Sequence, residues 1–150
     1  MSRKKPVDQM SLKIESRSVN ESFARVAVSA FAAQQDPTVE EISDIKTAVS
    51  EAVTNCIVHA YPASVGEIYI WVGLFDDGLV RIRIRDRGCG IIDVRQAMEP
   101  LFTTKPELER SGLGFAVMES CCDKVKVSSK VGKGTTVTLT SVSYTHLRAH

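Results

Sequence analysis

Apolar and polar positions along this chain repeat at two periods. Leu12 and Ile14 against Lys13 and Glu15 alternate over residues 10–16, the period of a short strand with one buried face. From Ser18 the period lengthens. Phe23, Val26, Ala27, Ala30 and Phe31 recur at helical spacing, and Ser18-Val19-Asn20-Glu21 has the form of a capping box. Asp36-Pro37 breaks that helix, and a second capping box, Thr38-Val39-Glu40-Glu41, opens a longer one. Its apolar stripe runs Ile42, Ile45, Val49, Ala52, Val53, Cys56, Ile57 and Ala60, and Pro62 ends it. Ile68, Ile70, Val72 and Leu74 then alternate with Glu67, Tyr69 and Trp71. After the turn Asp76-Asp77-Gly78, Val80, Ile82 and Ile84 alternate with Arg81, Arg83 and Arg85, which predicts a hairpin. Periodicity weakens over 93–110, where Pro100 and Pro106 interrupt any long helix, and a loop of that length in a small chain is usually functional or disordered. Residues 111–122 read as a helix packed through Phe115, Val117, Met118 and Cys121. Val125 with Val127 and Val137 with Leu139 mark two last strands around Val131-Gly132-Lys133-Gly134.

The predicted order is β-α-α-β-β-loop-α-β-β. Hairpins dominate, so the fold class is α/β (α+β) with a mostly antiparallel, mixed sheet. One sheet face is rich in Arg, Lys and Thr, so helices should cover only the other, giving a two-layer sandwich. The chain's 150 residues suffice for one core. Residues 1–9 read as a frayed basic end and 10–141 as a single domain. Residues 142–150 fit no upstream pattern. Net charge is +1, which gives no electrostatic reason to expect nucleic acid or a membrane surface as partner. No apolar run reaches spanning length and no signal peptide opens the chain, so the expected location is cytoplasmic. Cys56, Cys89, Cys121 and Cys122 form no C-x-x-C pair, and with three histidines a zinc site is not expected.

Chemistry concentrates in three places. Asp86 has the parity of Val80, Ile82 and Ile84, so the chain aims a carboxylate toward its apolar side and follows it with Gly88 and Gly90. Such an acid either caps its own glycine turn or meets a ligand donor such as the exocyclic amine of adenine. Glu51, Asn55 and His59, four residues apart, share one stripe of the long helix. That stripe is either a solvated face or a base beside a metal ligand, an amide oxygen suiting Mg²⁺. Arg110-Ser111-Gly112-Leu113-Gly114-Phe115 opens a helix whose free N–H groups suit an anion, with Lys105 and Arg110 able to add charge. Rival motifs fail: there is no G-x-x-x-x-G-K-[ST], no third glycine of a dinucleotide fingerprint, and no H-R-D or D-F-G element.

Taken in order, Glu51-x-x-x-Asn55, Asp86-x-Gly88-x-Gly90 and Gly112-x-Gly114 resemble the N, G1 and G2 boxes of the Bergerat ATP-binding fold of gyrase, Hsp90, the histidine kinases and MutL. The stretches NESFAR (20–25), VSEAVTN (49–55), PLFTTKPELERSGLGF (100–115) and GKGTTV (132–137) are similar to the sporulation anti-sigma serine kinases within that superfamily, over residues 10–140. The resemblance implies a serine kinase that uses ATP, yields ADP and needs Mg²⁺. It implies a homodimer that silences a sigma factor and phosphorylates the anti-anti-sigma protein that releases it. Glu51 would be the general base and Asn55 the Mg²⁺ ligand. His59, Asp86, Gly88 and Gly90 would shape the nucleotide pocket, Asp86 holding adenine. Thr103, Thr104, Lys105, Arg110, Ser111, Gly112 and Gly114 would form lid and phosphate site. Thr135 or Thr136 would assist Asp86 through a hydroxyl, and Glu21 and Arg25 would face protein partners. Two departures stand out: Ala60 where the family often has Gly, and Ile92 where it often has Pro. The alternatives are a general-stress anti-sigma kinase, the ATP-binding domain of a histidine kinase, and a non-catalytic sigma-binding module.

Overall fold

The computed structural model describes residues 5–98 and 114–143. Five strands, β1 (Asp8–Glu15), β2 (Glu67–Leu74), β3 (Leu79–Asp86), β4 (Lys124–Lys130) and β5 (Gly134–Val142), form one sheet in the order β1-β2-β3-β5-β4. All four pairings are antiparallel, so the expected mixed sheet is antiparallel throughout its described strands. The first strand begins before the expected residue 10, because β1 pairs with β2 from Asp8 opposite Leu74 to Glu15 opposite Glu67. Backbone pairing along an edge carries on past the point where side-chain alternation stops being legible.

Helices α1 (Val19–Ala32), α2 (Val39–Asn55) and α4 (Gly114–Cys121) cover one face, while a single short turn of helix, α3 (Val94–Ala97), follows Asp93. Their buried residues meet Ile68, Ile70 and Val72 of β2, Ile82 and Ile84 of β3, and Val137 and Leu139 of β5. In α1 the expected stripe is out of phase. Ala24, Val28 and Ala32, four apart, are the fully buried set, while Phe23 and Val26 are more than half exposed. Small residues on the inner face let the helix lie close to its neighbours, and that packing overrides the larger side chains. The Ser18 capping box is not made either. Ser18 is helical (φ −53°), its side chain caps nothing, and Glu21 instead receives the Arg25 guanidinium at 3.1 Å.

The second capping box is made in full. Glu41 N–H donates to Thr38 Oγ1 at 3.0 Å and Thr38 N–H donates to Glu41 Oε1 at 2.8 Å. Thr38→Ala should destabilise the protein by about 1 kcal/mol, read as a lower urea midpoint at unchanged slope. A midpoint equal to that of the native protein would show that the cap is not needed to start α2.

Beyond Asn55 the helix changes winding. Residues Cys56–Ala60 form a π turn, closed by Tyr61 N–H donating to the Cys56 carbonyl at 3.2 Å. Single π turns in α-helices are frequent at functional sites.

The second sheet face is open and basic. Lys13 on β1, Arg81, Arg83 and Arg85 on β3, and Lys124, Lys126 and Lys130 on β4 outnumber Glu15 and Glu67 there. Arg83 lies over the Trp71 ring at 4.7 Å and Arg85 over Tyr69 at 4.7 Å, cross-strand pairs that stabilise the sheet. A shallow groove of about 550 Å³ runs between them. A guanidinium thus covers one face of each ring.

Candidate nucleotide site

Asp86 ends β3 with its side chain on the helix-covered face, opposite Thr135 of β5 and Ile68 of β2. It is 5% exposed. Its Oδ1 accepts the Gly88 N–H at 2.9 Å and the Thr135 N–H at 3.2 Å, and its Oδ2 receives the Cys56 thiol at 3.5 Å. Burial pushes its carboxyl above the ordinary aspartate range, and those three hydrogen bonds pull it partly back. Burial likewise pushes the Cys56 thiol well up, with the neighbouring Asp86 charge adding to it. The acid thus caps its own glycine turn, and the reading as turn cap and the reading as ligand contact are compatible.

Of the two threonines expected beside it, Thr135 reaches Asp86 through its backbone rather than its hydroxyl. That hydroxyl shares a hydrogen bond with Ser129 Oγ at 2.7 Å. Thr136 pairs with Arg85 and lines the groove on the open face. Successive strand residues point to opposite faces, so Thr136 cannot meet Asp86 from there.

The loop after Asp86 is fastened to the end of α2. Cys89 N–H donates to the Ala60 carbonyl at 3.1 Å, and Arg87 N–H donates to Tyr61 Oη at 2.6 Å. Tyr61 Oη in turn donates to the Glu67 carbonyl at 2.8 Å. Gly90 has φ +79°, a region other residues avoid. A Cβ at Gly88 would collide with the Ala60 carbonyl and methyl. Gly88→Ala should therefore lower stability by about 1–3 kcal/mol through overpacking and loosen the loop. Thermal denaturation with and without ATP reads both effects, and a variant matching the native protein in both would refute the close fit.

Glu51 and Asn55 are half-buried on one side of α2. A methyl built on Gly114, the first residue of α4, would lie 3.4 Å from Asn55 Oδ1 and 3.5 Å from Glu51 Oε2. Both heads therefore converge on the start of the helix that carries the last expected box. His59 lies beyond Asn55 inside the π turn. What the structure records of its backbone is a carbonyl that receives the Cys89 thiol at 3.1 Å. Thr103, Thr104, Lys105, Arg110, Ser111 and Gly112 lie outside the described residues, as does the tail from 144.

Sequence reasoning did not find Cys56 or Tyr61 as parts of the site. The signal was present for Cys56: it belongs to the apolar stripe of the long helix, and Asp86 points to the same side of the sheet. Tyr61 follows the helix in a stretch without periodicity and gave none. Among the cysteines, Cys89 is exposed, Cys121 and Cys122 are partly covered, and Cys56 is buried. Burial pushes the Cys122 thiol up to about 12. Iodoacetamide should therefore place its first adduct on Cys89, located by peptide mass spectrometry, and Cys56 should be among the last to react. Early modification of Cys56 would contradict its burial.

The chain's similarities agree with this geometry. The family described as histidine kinase-like ATPase domain matches residues 14–141. An anti-sigma F factor from Geobacillus thermodenitrificans is 54% identical over 132 residues, 88% of this chain and 90% of that protein. One from Caldanaerobacter subterraneus subsp. tengcongensis is 56% identical over 133 residues, 89% of this chain and 92% of that protein. The chain belongs to the histidine kinase-like ATPase domain family, in its anti-sigma F factor branch. In structure it resembles the RsbU and RsbW domains of Rv1364c from Mycobacterium tuberculosis, with a TM-score of 0.67 and 24% identity over 92% of this chain and 32% of that one. The histidine kinase domain of Erythrobacter litoralis EL346 follows at a TM-score of 0.58 and 19% identity, over 87% of this chain and 62% of that one. These two likenesses support the fold. Among the described residues no helix is long and apolar enough to cross a membrane.

Proposed function

We propose that the chain is an anti-sigma factor and a serine protein kinase. On this reading it binds and silences a sporulation sigma factor in the cytoplasm, and it uses Mg-ATP to phosphorylate one serine of the anti-anti-sigma protein that would release it. One observation carries the kinase reading: Glu51 and Asn55 converge on the start of α4 while a buried carboxylate, Asp86, stands by a glycine loop tied to the end of the same helix.

Phosphoryl transfer asks a protein mainly for positioning and charge neutralisation. Asp86 accepts the exocyclic amine of adenine, with Gly88 and Gly90 letting the loop after it lie close against Ala60 and Lys130 and so shape the pocket wall. Glu51 takes the proton of the attacking seryl hydroxyl, whose oxygen forms the new bond to the γ-phosphorus as ADP leaves. The Asn55 amide oxygen is a fitting donor for Mg²⁺, which binds through few protein oxygens and the substrate's phosphates and would neutralise phosphate charge. Thr103, Thr104, Lys105, Arg110, Ser111, Gly112 and Gly114 would supply the lid and further charge around the phosphates.

Protein partners are read onto α1. The Glu21–Arg25 ion pair sits on its flank, and Val19, Phe23 and Val26 expose an apolar stripe on the side away from the core. A homodimer belongs to the same reading. The test is transfer of labelled γ-phosphate from Mg-ATP in the presence of the antagonist. Acid-stable phosphoserine on the antagonist is expected. Acid-labile label on this chain would point to a histidine kinase, and absence of transfer to a binding module.

A further inference from the structure

We infer that Cys56 is a positioning residue for purine recognition: its thiol holds the Asp86 carboxylate so that one lone pair of Oδ2 is left for the amine of the base. The inference rests on the proposed adenine contact of Asp86 and adds to it the group that orients the acid.

An ionised carboxylate offers about four acceptor sites. At Asp86 two are taken on Oδ1, by the Gly88 and Thr135 N–H groups, and one on Oδ2, by Cys56 at 3.5 Å. Both backbone donors act on the same oxygen, so they alone leave Oδ2 unrestrained. Among the described residues the thiol is the donor that restrains it. Cys56 is 4% exposed and belongs to the rigid core, so the restraint is built in before nucleotide arrives. It is also the first residue of the π turn, which touches the glycine loop at successive points. Cys56 meets Asp86, the Ala60 carbonyl meets Cys89 N–H, and Tyr61, just beyond the turn, meets Arg87 N–H. Of these contacts, the thiol's is the one made to the recognition group itself.

The remaining lone pair accepts a donor. A 6-amino purine supplies one, and a 6-oxo purine presents an acceptor there instead. Cys56 thus contributes to selecting ATP over GTP as well as to affinity. A small apolar side chain would fill the same space in the core, and the thiol differs from it by having a proton to give.

The test uses the full chain and calorimetric titration with Mg-ATP and Mg-GTP. Cys56→Ala should weaken ATP binding about two- to tenfold, the range of one net hydrogen bond. It should also narrow the preference for ATP over GTP in the same titrations. Cys56→Ser restores a donor and should recover most of the loss, which separates donation from packing. In the unmodified protein the S–H stretching band should shift when Mg-ATP binds. An alanine variant with native ATP affinity, or a serine variant as weak as the alanine one, overturns the inference. Asp86→Asn is run alongside. If it binds ATP normally, the adenine contact itself is wrong and this inference goes with it. If it binds poorly while Cys56→Ala binds normally, only the role of Cys56 fails.

Discussion

Glu51→Ala is expected to slow phosphoryl transfer to the antagonist by about 10²–10⁴-fold, the contribution of a positioned general base, with Mg-ATP affinity nearly unchanged. The asymmetry follows from where the side chain stands. Its Oε2 faces the start of α4 beside Asn55, on the opposite side of that turn of α2 from the buried stripe Ala52, Val53 and Cys56. Removing it therefore opens no core cavity and does not touch the Asp86 network. Single-turnover transfer of labelled phosphate, paired with calorimetry, reads the two quantities separately. Transfer at the native rate would remove Glu51 from the role of base, and joint loss of binding and transfer would make it a structural residue.

Asp86→Asn should weaken ATP binding by about 1.5–3 kcal/mol, the scale of a hydrogen bond to a charged group. The replacement keeps the shape of the side chain and removes the charge. An amide places its N–H₂ either at the Oδ2 position, facing the base amine and the Cys56 thiol, or at the Oδ1 position, facing the Gly88 and Thr135 N–H groups, so donor meets donor either way. The same substitution has a pH signature without nucleotide. Burial raises the carboxyl's pKa in the folded chain above its unfolded value, so the folded state holds the proton more tightly. The contribution of Asp86 to stability is then fully present below the ordinary aspartate range and declines as pH rises through its raised range. Subtracting the Asn variant's urea stability from the native protein's, pH by pH, should show that decline. A flat difference would mean that burial does not perturb the group.

Much of this was legible in the residues. The parity of Asp86 against Val80, Ile82 and Ile84 places it on the inner face, because a strand's period of two leaves no freedom once one face is buried. Thr38 and Glu41 mark the start of α2 because their spacing lets each satisfy the other's N–H. The phase of α1 was not legible, since Ala24, Val28 and Ala32 carry too little apolar weight to outvote Phe23 and Val26 in a periodicity. The restraints on Asp86 were hidden for a related reason. They come from Gly88 and Thr135 backbone N–H groups and from one cysteine, and none of those announces a donor's direction. The π turn was invisible as well, because nothing in the local residue types distinguishes it from continued α-helix.

The basic open face of the sheet has a consequence for handling the protein. Its charges are sorted to one side, while Glu40, Glu41 and Asp44 gather near the start of α2 on the other layer. Among the described residues the two layers thus carry opposite charge clusters, although the net charge of the chain is only +1. The chain should be retained by a cation-exchange resin near neutral pH more firmly than its isoelectric point suggests, and it should orient itself sheet-first against any negatively charged matrix.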